Sequence, residues 1–323
     1  MDRSRSVAAL SAAVAGFARR HAAGDDRWCV ALSGGTDSLA LTAVAARLLP
    51  TTALIVDHGL QPGSADVADT ARSQALALGC VEARVLRVDV GTRGGPEAAA
   101  RTARYQALHD ARDGAAVLLA HTLDDQAETV LLGLGRGSGA RSIAGMRPHQ
   151  PPWYRPLLGV RRATTVAVCA DLGLTPWQDP HNTDPRFTRG RLRAEVLPLL
   201  EDVLHGGVAA ALARTAAALR DDTDLLDAMA SDALETATRG DGLDTGALAA
   251  LPAALRRRVI RLWLLAGGAN GPTDTQIRGV DTLVTGWRGQ GGVAIGSALR
   301  EQRLVAGRRD GTLTLRREPP QPG

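Results

Sequence analysis

The chain has 323 residues, 45% of them hydrophobic and 22% charged, and its formal net charge of +4 is carried on the basic side by arginine alone, with no lysine. This composition can bury a normal core, the length suits two domains, and no apolar run reaches the ~20 residues of a membrane span. The three cysteines, Cys29, Cys80 and Cys169, lie far apart with no Cys-x-x-Cys pair, which argues against a disulfide framework, a zinc site or an iron–sulfur cluster. The first residues, Met1-Asp2-Arg3-Ser4-Arg5, lead into an alanine-rich amphipathic stretch rather than a signal h-region, so a cytoplasmic protein is expected.

In chain order, strands are predicted at 27–32, 52–57, 84–90 and 115–120, with helices at 37–48, 65–78 and 96–112 between them. This alternation implies an α/β fold, a parallel sheet with helices on both faces. From 141 to 187 the chain is proline-rich and loop-like, interrupted by a helix at 161–172. A helix at 189–200 follows, then a long Ala/Leu/Asp segment, 207–237. The composition shifts near residue 200, which sets the expected boundary: a first domain over 1–200 and a smaller, mostly helical domain over 201–316. Within the second, helices are predicted at 252–266 and 273–286, the latter capped by Thr273, and short strands over 290–316. The tail, 317–323, is expected to be disordered.

Ligands of parallel sheets bind beyond the carboxyl ends of the strands. Four features fall there: Ser33 to Ser38, Asp57-His58-Gly59, the loop after Val90, and His121 to Asp125. The first of these, Ser33-Gly34-Gly35-Thr36-Asp37-Ser38, joins a buried strand to a helix. Strand, glycine-rich turn and helix point backbone amides at an anion, and the hydroxyls add donors. No Gly-Lys-Ser/Thr is present, so this is not the lysine-bearing P-loop. The bland reading is a strand-to-helix turn with a serine cap.

In His121-Thr122-Leu123-Asp124-Asp125-Gln126-Ala127-Glu128-Thr129, three carboxylates lie within five residues at the start of a helix. Asp124 and Glu128 share a face at i, i+4, and Asp125 and Glu128 at i, i+3. They could bind a magnesium ion or a substrate ammonium group, or simply complement the helix dipole. Arginine runs (Arg186, Arg189, Arg191, Arg193; Arg256, Arg257, Arg258, Arg261; Arg300, Arg303, Arg308, Arg309) suit phosphate backbones or, equally, solvated faces.

Ser-Gly-Gly-x-Asp-Ser after the first strand resembles the loop of the N-type ATP pyrophosphatases, which have the adenine nucleotide α-hydrolase-like fold. Further motifs narrow this to a resemblance to the tRNA(Ile)-lysidine synthetase family: Val56-Asp57-His58-Gly59-Leu60, Ala100-Arg101-Thr102-Ala103-Arg104-Tyr105, His121 to Thr129, Leu134-Gly135-Arg136-Gly137-Ser138-Gly139, Ala144-Gly145-Met146, Arg155-Pro156-Leu157-Leu158, Trp177 to Asp184 and Phe187 to Arg193. They span about 25–200 in order; beyond it, Leu255 to Leu264 resembles the family's first C-terminal domain. Gly190 stands where the family usually has Asn, and no counterpart of the extra C-terminal domain of longer members is expected.

The resemblance implies ligation of free lysine to carbon 2 of the wobble cytidine in isoleucine tRNA with a CAU anticodon, changing its codon from AUG to AUA. ATP activates the base as an adenylate, with Mg2+ as cofactor, and AMP and pyrophosphate are released. By the same resemblance, Ser33, Gly34, Gly35, Thr36, Asp37, Ser38 and His58 would bind ATP, with Asp37 on the metal or capping its helix. Arg101 and His121 would face the reacting phosphate, Arg193 the activated base, and Asp124, Asp125 and Glu128 the lysine, Asp124 either sharing that work or binding metal. Arg189, Arg256, Arg257, Arg258 and Arg261 would meet tRNA. A tRNA thiolase of the same superfamily is the runner-up enzyme, though its sulfur relay has no cysteine pair here. A non-catalytic tRNA-binding module is the alternative of a different class. The sequence does not choose between monomer and homodimer.

Overall fold

The computed structural model describes residues 5–59, 63–89, 96–137, 139–179, 187–297 and 303–319. The chain divides into two compact units, one spanning 1–137 and 145–216, the other 138–144 and 217–323.

The first unit is built on six strands: β1 (Trp28–Ala31), β2 (Thr51–Asp57), β3 (Glu82–Arg87), β4 (Ala116–Leu118), β5 (His149–Gln150) and β6 (Trp153–Tyr154). Their order is β3-β2-β1-β4-β6-β5, and every neighbouring pair is parallel except β5 with β6. The period-2 alternation of a strand sends its side chains to opposite faces. Accordingly Trp28, Val30 and Leu32 enter one core with Ala53, Ile55 and Leu118, while Cys29 and Ala31 enter another with Leu54, Val117 and Leu119. Helices Arg5–His21, Thr36–Ala45, Ser64–Ala77 and Arg162–Asp171 close the first core through Leu10, Leu39, Ala71 and Val168. Helix Pro96–Ala111 closes the second through Tyr105 and Leu108. Trp28, buried at the base of β1, satisfies its indole N–H on Thr51 Oγ1 at 2.7 Å.

The chain runs from β1 to β2 and β3 on one side, then returns to place β4 on the other. The loops after β1 and β4 therefore diverge and leave a crevice between them, the usual ligand position of an open parallel sheet.

Three sequence expectations change. The third strand ends at Arg87 rather than 90, and the loop after Val90 lies outside the described residues. The proline-rich stretch contains the β5–β6 hairpin, whose two-residue strands are too short to leave a periodic signature. The unit boundary falls within helix Val208–Ala237 rather than at 200, because that helix is continuous while its packing is not. Ala209, near its start, packs with Leu197 and Ala127, whereas Ala230 and Ala237 belong to the second unit's core.

In the second unit, helices Thr245–Ala250, Ala253–Ala266 and Asp274–Thr285 accompany a five-stranded antiparallel sheet. Its strands are β7 (Thr238–Arg239), β8 (Gly242–Asp244), β9 (Val293–Ile295), β10 (Arg303–Arg309) and β11 (Thr312–Glu318), in the order β7-β8-β11-β10-β9. The core joins Val259, Ile260 and Leu264 to Val280, Leu283, Leu304 and Leu313. Thr273 caps its helix as expected, in a reciprocal box with Gln276. Arg317 and Glu318, assigned to a disordered tail, instead end β11, where Glu318 pairs with Arg303 at 3.1 Å. Residues 320–323 lie outside the described residues. No single helix among the described residues is long and apolar enough to cross a membrane.

Candidate active site in the β1/β4 crevice

After β1 the backbone turns at Gly34, whose φ of +78° lies in the left-handed region open to glycine, and Gly35 then caps helix Thr36–Ala45. Gly35 provides no side-chain cap, so the helix presents first-turn amides without intrahelical partners, the arrangement that receives anions. The serines have different fates. Ser38 is buried; its hydroxyl donates to Gly35 O at 2.9 Å and accepts the Ser33 amide at 3.2 Å, so it holds the loop in shape rather than facing a ligand. Thr36 keeps a hydroxyl with no partner among the described residues.

A cavity of about 420 Å³ lies beyond β1 and β2, lined by Ser33, Val56, His58, Arg104, Trp177 and others. Two buried imidazole nitrogens near this edge, Nδ1 of His58 and Nδ1 of His121, have no hydrogen-bond partner among the described residues. Burial, then the charge of Arg104, lowers the pKa of His58; burial drives His121 far below the ordinary range, with Arg155, Arg104 and Arg101 adding to it and Asp125 opposing. Both are neutral near pH 7. Arg101 lies over the Tyr105 ring, its guanidinium carbon 4.9 Å from the centroid. Arg104 has no ion pair or hydrogen bond among the described residues, and burial lowers its pKa. The family-like segment marked it in the sequence, but only the fold aims it at the cavity wall.

The carboxylates form a second group beside the loop. Thr122 and Asp125 make a reciprocal capping box for helix Leu123–Gly135: Asp125 Oδ2 accepts from the Thr122 amide at 2.8 Å and its hydroxyl at 2.7 Å. Asp125 is therefore a helix-start residue as well as a site residue. Its other oxygen, Oδ1, takes Arg162 Nη2 at 2.6 Å and Arg193 Nη2 at 3.3 Å. Burial opposes ionisation of Asp125, but the charge of Arg162 and the hydrogen bonds from Thr122 outweigh it and the pKa falls. Glu128 is fully buried, with Arg193 Nε at 2.8 Å, Arg162 Nη1 at 3.4 Å and Arg189 Nη1 at 3.8 Å. Asp124 accepts the Arg162 amide at 2.7 Å and Arg161 Nε at 3.2 Å. Asp37 does not cap its helix; it pairs with Arg162 Nε at 3.1 Å and accepts the Thr165 hydroxyl. Burial raises its pKa, only partly offset by Thr165 and Arg162.

Arg162, absent from the sequence expectations, thus joins Asp37 to Asp125 and Glu128. Its signal was local: a cation as the first residue of a helix opposes the dipole, so something else must hold it there. Arg193 projects from a π-helical turn, Leu192–Val196, a geometry that recurs at functional sites. Gln126 clamps Met146 through both ends of its amide, at 2.7 and 3.0 Å, which explains the Ala144-Gly145-Met146 motif: a Cβ on Gly145 would fall 2.8 Å from Gln126.

The second unit separates the arginines grouped in the sequence. Arg256 is buried against Asp281 Oδ1 at 2.5 Å, and Arg257 reaches Oδ2 at 2.9 Å. Together they hold the Asp281 pKa down against its burial. Arg256 is therefore a core ion pair, which corrects its assignment to a tRNA surface. Arg258 shares Asp227 Oδ1 with Arg141, at 3.1 and 2.8 Å. Arg261 has no ion pair or hydrogen bond among the described residues; burial and nearby Arg141 lower its pKa.

Residues 7–200 match the model of the PP-loop domain and residues 243–313 that of the TilS substrate binding domain. Among solved structures, a U34-tRNA thiolase from Methanococcus maripaludis superposes with a TM-score of 0.54 at 19% identity, covering 67% of this chain and 80% of that one, a likeness of fold alone. Among curated proteins, the tRNA(Ile)-lysidine synthases of Mycobacterium bovis, Mycolicibacterium paratuberculosis and Nocardia farcinica are 75%, 70% and 62% identical, over 99%, 99% and 91% of this chain and 100%, 99% and 92% of their own lengths. With that identity running through both units, the chain belongs to the tRNA(Ile)-lysidine synthase family.

Proposed function

We propose that the protein joins free lysine to carbon 2 of the wobble cytidine of CAU-anticodon isoleucine tRNA. The cytidine carbonyl oxygen attacks the α-phosphate of ATP, releasing pyrophosphate. The ε-amine of lysine, having lost a proton, then attacks carbon 2 of the adenylated base and AMP leaves. The observation that carries this reading is the meeting, in one crevice, of an anion-receptive helix start, two neutral imidazoles whose Nδ1 atoms have no partner among the described residues, and three carboxylates.

Adenosine is assigned to the cavity beside His58 and the triphosphate to Ser33–Asp37, where preorganised amides and nearby guanidinium groups stabilise charge without a protein nucleophile. Neutral His121, with Arg101 and Arg104, would face the reacting phosphate. Asp37, the carboxylate in the first turn of the helix that follows the loop, would hold magnesium together with triphosphate oxygens, since Mg2+ commonly takes one or two carboxylates and completes its shell from phosphates. When bound it would neutralise triphosphate charge. Asp124, Asp125 and Glu128 would receive the ammonium groups of lysine, and Arg193 the activated base. Arg189, Arg257, Arg258 and Arg261 are the arginines proposed to meet tRNA phosphates. A thiolase reading has no support, since all three cysteines are buried and burial pushes each thiol up to about 11.

Mass spectrometry of nucleosides from CAU-anticodon tRNA, after incubation with ATP and lysine, tests the reading. Lysidine is the expected product, and its absence with correctly folded enzyme and tRNA would end the proposal.

A further inference from the structure

Arg162 stands between two places where different substrates are assigned. Its Nε meets Asp37 in the nucleotide loop, while Nη2 and Nη1 meet Asp125 and Glu128 across the crevice. The side chain is only 21% exposed, and its own amide is anchored on Asp124, so the guanidinium is held in place rather than sampling solvent. The oxygens it occupies, Asp125 Oδ1 and Glu128 Oε1, also receive Arg193, at 3.3 and 2.8 Å, and Asp125 Oδ2 is taken by Thr122, so a lysine ammonium entering here meets carboxylates that already carry two guanidinium groups. Lysine and Arg162 therefore compete for the same acceptors.

A bound triphosphate changes the competition. It would bring several anionic oxygens to the loop that carries Asp37, beside a guanidinium whose planar fork suits phosphate at least as well as carboxylate. We infer that Arg162 is a counter-ion shared between the nucleotide and lysine subsites, adding a second guanidinium beside that of Arg193 on the lysine carboxylates until a bound triphosphate draws it away. It is a positioning residue that couples the two substrates, and lysine binds well only after nucleotide. This rests on the assignment of Asp125 and Glu128 to lysine.

The test is calorimetric titration of L-lysine into the full chain without tRNA, with and without Mg2+ and α,β-methylene-ATP, which cannot be split at the reacting bond. Lysine should bind about tenfold or more tighter with the analogue present, within the 5–150-fold range of ordinary coupling, and linkage requires the same factor when the analogue is titrated into lysine-saturated protein. In Arg162→Gln the ratio should fall to within about twofold, chiefly because lysine binds better alone. Arg162→Lys keeps the charge but not the three-pronged contact, and its ratio should also fall below that of the wild type. A wild-type ratio near one, or a wild-type ratio retained in either variant, overturns the inference. No lysine binding in any arm would overturn the lysine assignment itself, and the coupling with it.

Discussion

Both units pair arginines with buried carboxylates, and the two networks mean different things. In the second unit Asp281 gives each oxygen to one guanidinium, Arg256 Nη1 goes on to Leu251 O at 2.7 Å, and the group is closed. In the first unit Asp37, Asp125 and Glu128 are likewise paired, but they adjoin a helix start with no side-chain cap and the edge where His58 and His121 keep buried nitrogens without partners among the described residues. The ion pairs themselves are alike. What distinguishes a site from a fold-holding clamp is unmet hydrogen-bonding capacity around it, because a buried polar group without a partner costs about 1–3 kcal/mol that a ligand can recover.

The sharpest way to break this comparison is to cut each network at its central carboxylate. Asp281→Ala leaves Arg256 buried and unpaired, so about 3–5 kcal/mol of stability should be lost. Denaturant unfolding measures this, and nucleotide binding should persist wherever the protein remains folded. Glu128→Gln should cost a similar 3–5 kcal/mol, but in lysine recognition: the lysine requirement rises by about two to four decades while tRNA-dependent pyrophosphate release continues. If the carboxylate serves only its ion pairs with Arg193 and Arg162, the variant loses stability as Asp281→Ala does and its lysine titration is normal. Next in size, Asp37→Ala should slow pyrophosphate release by about 10²–10³-fold with its melting temperature little changed. Unaltered release would remove Asp37 from the proposed phosphate machinery.

These contrasts were only partly visible in the sequence. The strand–loop–helix around Ser33–Ser38 and the Thr273 cap are local patterns, written in consecutive residues, and the parallel sheet follows from their repetition. Arg162 was hidden because its partners lie 125 and 37 residues away and only the β1/β4 adjacency brings them together. Arg256 misled for the same reason: a run of arginines looks like a surface until Asp281, 25 residues on, folds against it. The π turn that carries Arg193 has no sequence signature of its own, and Ser38 looked like a ligand donor because the loop's internal bonds are not written in residue type.

A smaller effect follows from the neutral imidazoles. His121 has a folded pKa far below the ordinary 6.5, so below about pH 6.5 the unfolded chain binds a proton that the folded chain refuses. Stability should therefore fall as pH drops from about 6.5 toward 5, by up to about 1.4 kcal/mol per pH unit for this residue. His58 shifts in the same direction and adds to the slope. Denaturation midpoints across this range, compared with those of His121→Asn, check it; equal slopes in the two proteins would mean that His121 is protonated in the fold.

The smallest expected effect separates two arginines that stand five residues apart. Arg256 is committed to Asp281, whereas Arg261 is half-buried, without an ion pair among the described residues, near Arg141 and near Asp227, whose carboxylate Arg141 and Arg258 share. Positive charge is thus in surplus around Asp227, and surplus charge is what a phosphate backbone can use. Each phosphate contact contributes about one unit to the slope of log affinity against log salt. Arg261→Ala should therefore flatten the tRNA salt dependence by about one unit and leave the melting temperature close to wild type. Arg256→Ala should do the reverse, lowering stability while the folded protein keeps its slope. Filter binding of CAU-anticodon tRNA over a range of salt concentrations measures both. If Arg261→Ala leaves the slope intact, the cluster at Asp227 is a clamp like the one at Asp281, and tRNA must find its cations elsewhere.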